Sequence, residues 1–150
     1  LYGPNIAKNN FTVGSVDDTD MIASTSSRGP TADGRIKPEV VAVGVNVTST
    51  IATNTYSVMS GTSMATPAVS GTMALLYQRY KNLNNQQNPH ATLIKALLMN
   101  TADDCGNSGP DYKYGYGRIN ARRALACLNS NQYFYDSLYG PRVSISIYGI

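Results

Sequence analysis

Residues Gly61-Thr62-Ser63-Met64-Ala65-Thr66-Pro67 follow a short β-branched and aromatic run, Tyr56 to Met59, and lead into Met64 to Tyr80, where only Pro67 and Gly71 interrupt a helical pattern. This order spells strand, tight turn and helix. Pro67 is tolerated in a first helical turn, where its missing amide hydrogen would have had no intrahelical partner, so the helix is expected to start near Thr62 or Ser63. A serine there lies beside free backbone amides and the positive end of the helix dipole, which together can hold an oxyanion. Ser63 is therefore a candidate nucleophile, supported by Gly61 and Thr62 at the helix start. Position alone favours an ordinary N-cap, since Ser and Thr are preferred there, and it is the residues around Ser63 that reverse this. Ala65, Ala68, Val69, Ser70, Gly71, Met73, Ala74, Leu75 and Leu76 make the helix small or apolar nearly all round, which predicts burial against close neighbours.

Outward from this helix, Asn10 to Val16 and Glu39 to Val47 are apolar, β-branched stretches bounded by turn formers, and both read as buried parallel strands. The turn-rich segment Ser24 to Arg35 between them demands a loop. After the helix, Asn82 to Asn88 is an amide-rich loop, Pro89 to Thr101 a second helix with Leu93, Ile94, Leu97 and Leu98 inward, and Asp103 to Asp111 a loop. Arg118 to Leu128 reads as a short last helix. Beyond Asn129, Tyr133 to Tyr135 and Val143 to Tyr148 alternate apolar and polar around Gly140-Pro141, as exposed strands do. The expected organisation is one α/β unit over residues 1–128, followed over 129–150 by a linker and the start of a β-rich module.

Composition excludes several classes. With 150 residues, 42% hydrophobic and 14% charged, the chain is too rich in core formers for disorder. Its net charge of +3, without a basic run, gives no footprint for a nucleic-acid partner. The apolar runs are too short for a membrane span or a signal peptide. Cys105 and Cys127 lie in no CxxC or Cys/His cluster, so they are either two buried free thiols or one disulfide. Abundant Tyr, Ser, Thr, Asn and Gly lean toward a secreted protein, and Asn10-Phe11-Thr12 and Asn46-Val47-Thr48 match the glycosylation acceptor pattern.

The run from Gly61 to Pro67 resembles the nucleophile motif of the subtilisin-like serine proteases (subtilases, peptidase family S8), and matches neither a Gly-x-Ser-x-Gly elbow nor a P-loop. Phe11 to Val16 looks like the family's strand before the nucleophile. Ser26-Ser27-Arg28-Gly29-Pro30, on through Asp33-Gly34 to Lys37-Pro38-Glu39, looks like its Ser-Ser-x-Gly-Pro region. Asp111 to Ala121 resembles its closing Tyr-Gly-x-Gly-x-Ile-Asn stretch. The resemblance spans roughly residues 10 to 127 and implies a doubly wound, parallel-sheet α/β domain of which this is the C-terminal part. Ala42-Val43-Gly44 departs from the usual Ala-Pro-Gly, and Ala68 stands where many members have His.

A serine hydroxyl needs a histidine to take its proton and a carboxylate to orient that histidine. In the family both precede the serine, as does the Asn that donates to the oxyanion. His90, the one histidine, follows Ser63 and reads as exposed and structural. Asp17, Asp18 and Asp20 read as solvated turn formers, Asp103-Asp104 as a solvated loop pair, and Asn5, Asn9 and Asn10 lie too near the first strand to serve as the oxyanion donor. The resemblance thus implies a serine endopeptidase working through an acyl-enzyme on Ser63, with Asp, His and Asn supplied from an upstream half of the same domain. The 150 residues alone are expected to be inactive. A polypeptide is the expected substrate, and neither nucleic acid nor membrane is expected as a partner. No cofactor is required; structural calcium belongs to the expectation for a full-length protein only, because no compact carboxylate cluster occurs here. The competing reading is a non-catalytic binding or structural domain that keeps the fold.

Overall fold

The computed structural model describes residues 3–133. The expected strands at Tyr133 to Tyr135 and Val143 to Tyr148 lie outside that range except for Tyr133, which packs against the edge of the core. After a 3-10 turn at Gly3–Ile6, the chain forms β1 (Val13–Val16), β2 (Val40–Val43), β3 (Val47–Ile51), β4 (Thr55–Met59), α1 (Thr62–Leu83), α2 (Ala91–Asn100) and α3 (Ala121–Asn129).

β1 and β2 pair in parallel, Val13 opposite Val40 through Val16 opposite Val43. All of β1 and the first three residues of β2 are buried, which is why both read as continuous apolar runs rather than as alternating ones. On its other side β2 meets the segment around Arg118: Val41 N–H donates to the Gly117 carbonyl at 2.9 Å and Ile119 N–H to the Val41 carbonyl at 3.0 Å. A parallel core with helices on it results, the α/β arrangement expected.

The expected second strand, Glu39 to Val47, is broken. Gly44 N–H still donates to the Val16 carbonyl at 2.9 Å, the last bond of the β1–β2 ladder, and two residues on Asn46 takes a left-handed φ of 55° that turns the chain out of it. Val47 instead opens an antiparallel hairpin, β3 with β4, in which Val47 lies opposite Met59. The strand expected at Tyr56 to Met59 is the hairpin's second arm. Its turn, Ala52–Asn54, holds Thr53 and Asn54 at positive φ without any glycine.

α1 also differs from expectation: it is buried along one stripe only, Ala65, Val69, Leu76 and Tyr80. These residues sit four, seven and four apart, one face of a 3.6-residue helix. That face meets β1, β2, α2 and α3, whereas Pro67, Ala68, Ser70, Gly71 and Leu75 face away, Leu75 being 67% exposed. Leu93, Ile94, Leu97 and Leu98 of α2 and Ala124 and Leu128 of α3 complete the core. α3 begins at Asn120, whose side-chain oxygen accepts from Arg123 N–H at 2.9 Å, a standard N-cap.

Charged groups hold the loops. Glu39, at the entry to β2, is buried and accepts from Lys37 Nζ at 2.5 Å, Lys95 Nζ at 2.6 Å and, on its other oxygen, Thr12 N–H at 2.8 Å. In the segment between β1 and β2, hydrogen bonds from Arg35 and Thr31 bring the Asp33 carboxyl down to about 2. Asp17 behaves as the turn former expected, accepting from Thr19 and Met21 amides. Asp20 closes the same turn, its N–H donating to the Asp17 carbonyl at 3.3 Å, and it and Asp103 do more than the sequence predicts: Arg118 Nη1 lies 2.7 Å from Asp20, and Asp103 pairs with Arg123 at 2.8 Å and Arg118 at 3.6 Å, so these partly exposed carboxylates also clamp the Arg118 segment to both neighbouring loops. Cys105 and Cys127 are free, half-buried thiols, and burial pushes both above their ordinary titration range.

Candidate active site

The turn that carries Ser63 is fixed from below by backbone. Gly61 N–H donates to the Gly44 carbonyl at 2.7 Å, and the Gly61 carbonyl accepts from Met64 N–H at 3.0 Å and Ala65 N–H at 3.3 Å. Asn46 N–H donates to Ser60 Oγ at 2.8 Å. The end of β2 therefore holds both residues that precede Thr62. Gly61 has φ 154° and ψ 169°, a conformation that L-residues rarely adopt, and its side-chain direction opens on nothing closer than Ser63 N at 3.9 Å. An approaching chain can come close to the backbone there.

Ser63 is exposed in the first turn of α1, as the sequence predicts, while Gly61 and Thr62 are half-buried. Thr62 and Ser63 amides have no hydrogen-bond partner among the described residues, the ordinary state of helix N-terminal amides, and α1 supplies the positive end of a 22-residue helix behind them. Two free amides beside an exposed hydroxyl are suited to an anion forming next to Ser63 Oγ. The Thr62 carbonyl is occupied by Thr66 Oγ1 at 2.8 Å.

Other sequence candidates are engaged elsewhere. His90 is exposed at the position preceding α2, where its carbonyl accepts from Leu93 N–H at 3.0 Å. Asn10 Oδ1 accepts from Lys37 Nζ at 2.9 Å. Among the described residues no group of three or more His, Cys, Asp or Glu is placed to hold a metal; Asp103 pairs with two arginines, and Asp104 accepts from Gly109 N–H at 2.8 Å. Gly44, Asn46 and Ser60, which hold the Ser63 turn, are absent from the sequence-derived site. Their signal was Gly44 in Ala42-Val43-Gly44, read there as a matter of fold alone.

A parallel strand pair packed under helices, with an exposed serine at the head of α1, agrees with the subtilisin-like α/β class that the motifs around Ser63 resemble. The family model described as the Subtilase family matches residues 1–117, and the chain belongs to that family. It is 35% identical over 146 residues to the serine protease AprX of Bacillus subtilis (strain 168), covering 83% of this chain and 31% of AprX. It is 40% identical over 124 residues to a thermophilic serine proteinase of Bacillus sp. (strain AK1), covering 83% of this chain and 27% of that protein. Among solved structures, the Clostridium perfringens CspB protease superposes with a TM-score of 0.77 at 32% identity, over 84% of this chain and 28% of the other. A lanthipeptide protease gives 0.73 at 27% identity, over 82% and 44%. The chain thus spans about 30% of the length of these two curated relatives.

Proposed function

We propose that this chain contributes the nucleophile and its helix to a secreted serine endopeptidase, in which Ser63 Oγ attacks the carbonyl carbon of a peptide bond. The observation that carries this reading is the exposed Ser63 hydroxyl beside the unpartnered Thr62 and Ser63 amides, in a turn held by Gly61 at φ 154°. The alkoxide-like oxygen of the tetrahedral intermediate gains from those amides and the helix dipole, and collapse of the intermediate releases the amine and leaves an ester on Ser63. This chemistry needs no cofactor.

A base for the Ser63 proton, a carboxylate to orient it and a side-chain oxyanion donor come, in this reading, from an upstream half of the same domain. Two features support such a partner. Leu75, Gly71 and Ala68 on the outer face of α1 are exposed although apolar or small, and an open groove of about 1020 Å³ lies between α1, α2 and the segment before β1, walled by Phe11, Met73, Tyr77 and Ile94. Both are surfaces on which further domain structure would bury area. A polypeptide is the substrate, as the names of the protease relatives suggest. Among the described residues no helix is long and apolar enough to cross a membrane.

The reading is tested by expressing the full-length protein with Ser63→Ala and following hydrolysis of an unfolded polypeptide. Peptidase activity that disappears while folding is retained supports it; retention of more than a few per cent contradicts it and favours the non-catalytic alternative or a different nucleophile.

A further inference from the structure

Gly44 does not need to be glycine for its backbone angles, since its φ is not among the positive values of this chain. It needs to be glycine for space. A methyl group built there would lie 2.5 Å from Ser15 Oγ, 2.6 Å from the Gly61 carbonyl oxygen and 3.0 Å from Ala65 Cβ. Ser15 is fully buried in the middle of β1, and its Oγ has no hydrogen-bond partner among the described residues, although Ser15 N–H donates to Ser26 Oγ at 3.0 Å. Gly44 is thus packed between a core strand on one side and, on the other, the turn and first helical residues that flank Ser63. The same residue donates to Val16 on β1 at 2.9 Å and accepts from Gly61 at 2.7 Å.

Resting on the reading of Ser63 as nucleophile, we propose that Gly44 is a positioning residue for it: the missing side chain sets how closely the Gly61–Ser63 turn is drawn down onto β1, and thereby where the Ser63 hydroxyl and amide stand. The two contacts that a methyl at residue 44 would violate are of different kinds. The Ser15 contact is with a side-chain oxygen inside the core, so overpacking there bears on stability. The Gly61 contact is with a backbone oxygen of the half-buried turn, so it is relieved only by a shift of the turn itself, which carries Ser63 with it. A displacement of about 1 Å at a reacting group is enough to cost on the order of a hundredfold in rate.

The two kinds of contact can be separated in the full-length protein with Gly44→Ala, Ser15→Ala and the double variant. Ser15→Ala removes the hydroxyl that the new methyl would strike, so the double variant unfolds at a higher temperature than Gly44→Ala. The Gly61 collision remains. Relative to Ser15→Ala, the double variant therefore loses at least tenfold in kcat with KM within threefold, and its first-order rate constant for labelling at Ser63 by an organophosphonate falls equally. That constant is read well below the unfolding transition of both variants, where essentially all of the protein is folded, so a loss of stability alone leaves it unmoved. Exchange of the Gly61 amide reads the same displacement without chemistry and is at least tenfold faster in the double variant than in Ser15→Ala. Labelling and exchange within threefold of Ser15→Ala overturn the proposal, and so does a double variant that fails to fold, because Ser15 would then not be the core contact at fault. If the protein with native Ser63 is not labelled at all, the nucleophile reading has failed instead, and exchange alone decides the role of Gly44.

Discussion

Lys37 Nζ lies 2.5 Å from Glu39 Oε1, and the two side chains are 2% and 5% exposed. With Lys95 on the same oxygen, the Glu39 carboxylate is shared by two ammonium groups at the entry to β2, the strand that leads to Gly44 and so to the Ser63 turn. Glu39→Gln leaves the buried Lys37 without its counter-charge, and removing one partner of a buried pair costs about 3 to 5 kcal/mol. Denaturant unfolding of the full-length protein, made inactive by Ser63→Ala to prevent autolysis, measures this. Lys95→Met costs less, because Lys95 keeps a quarter of its side chain in water and Lys37 remains on the carboxylate. Equal losses for the two variants would contradict this account of the cluster.

Asp103 carries a pH dependence whose sign follows from its partners. Burial pushes its carboxyl up, but hydrogen bonds from Arg123 and Asn120 and the charges of Arg123 and Arg118 outweigh burial and hold it below the ordinary value. A folded-state pKa below the unfolded value, about 3.9, means a stabilising contribution that is complete above that value and disappears as pH falls through the folded one. The stability difference between wild type and Asp103→Asn is therefore constant from about pH 5 to 7 and shrinks on acidification below about pH 4. Urea unfolding across that range checks it; a difference that grows on acidification would show the opposite shift.

His90→Ala leaves the peptidase activity of the full-length protein within a factor of a few, because His90 is exposed ahead of α2 and the base for Ser63 is assigned upstream. Steady-state hydrolysis decides it. A folded but inactive His90→Ala would mean that this chain carries its own base.

The 150 residues by themselves are expected neither to hydrolyse peptides nor to be labelled at Ser63 by an organophosphonate at an appreciable rate. A helix dipole contributes about 0.3 to 2 kcal/mol, which cannot replace a general base worth roughly a hundred- to ten-thousand-fold. Mass spectrometry of the purified chain after incubation with the probe reads this directly. Rapid stoichiometric labelling would reveal a complete site within these residues.

What was legible in the sequence was whatever local rules and short motifs encode. The start of α1 at Thr62 was legible from the Ser60-Gly61 turn ahead of a helical pattern, although Pro67, five positions on, lies inside the helix beyond the first turn where the sequence places it; β1 and β2 were legible from apolar stretches between turn formers. The β3–β4 hairpin was missed because nearly all of it is exposed on both faces, so no alternation marks it, and because its turn at Ala52–Asn54 lacks the Gly that signals one. Lys37 and Glu39 were quoted only as part of a motif; their burial depends on Lys95, 56 positions beyond Glu39, and no local pattern carries that information. The pairing of Asp20 with Arg118 was hidden for the same reason, since the two lie 98 positions apart, although both Asp20 and Asp103 do keep about a third of their side chains in water as the sequence predicts. The apolar character of α1 was read correctly as a residue pattern, yet its outer face is bare among the described residues, so burial all round did not follow from composition.

The central claim, that Ser63 is the nucleophile, is tested most directly by treating the full-length protein with an organophosphonate probe, digesting it and locating the adduct by mass spectrometry. The account predicts one adduct per molecule, on Ser63 Oγ, with labelling abolished by Ser63→Ala and peptide hydrolysis lost in step with labelling. In subtilisin itself, the source of this magnitude, loss of the serine lowers kcat on the order of a million-fold. An adduct on a different residue, or hydrolysis that continues undiminished after Ser63 is fully labelled, would contradict it.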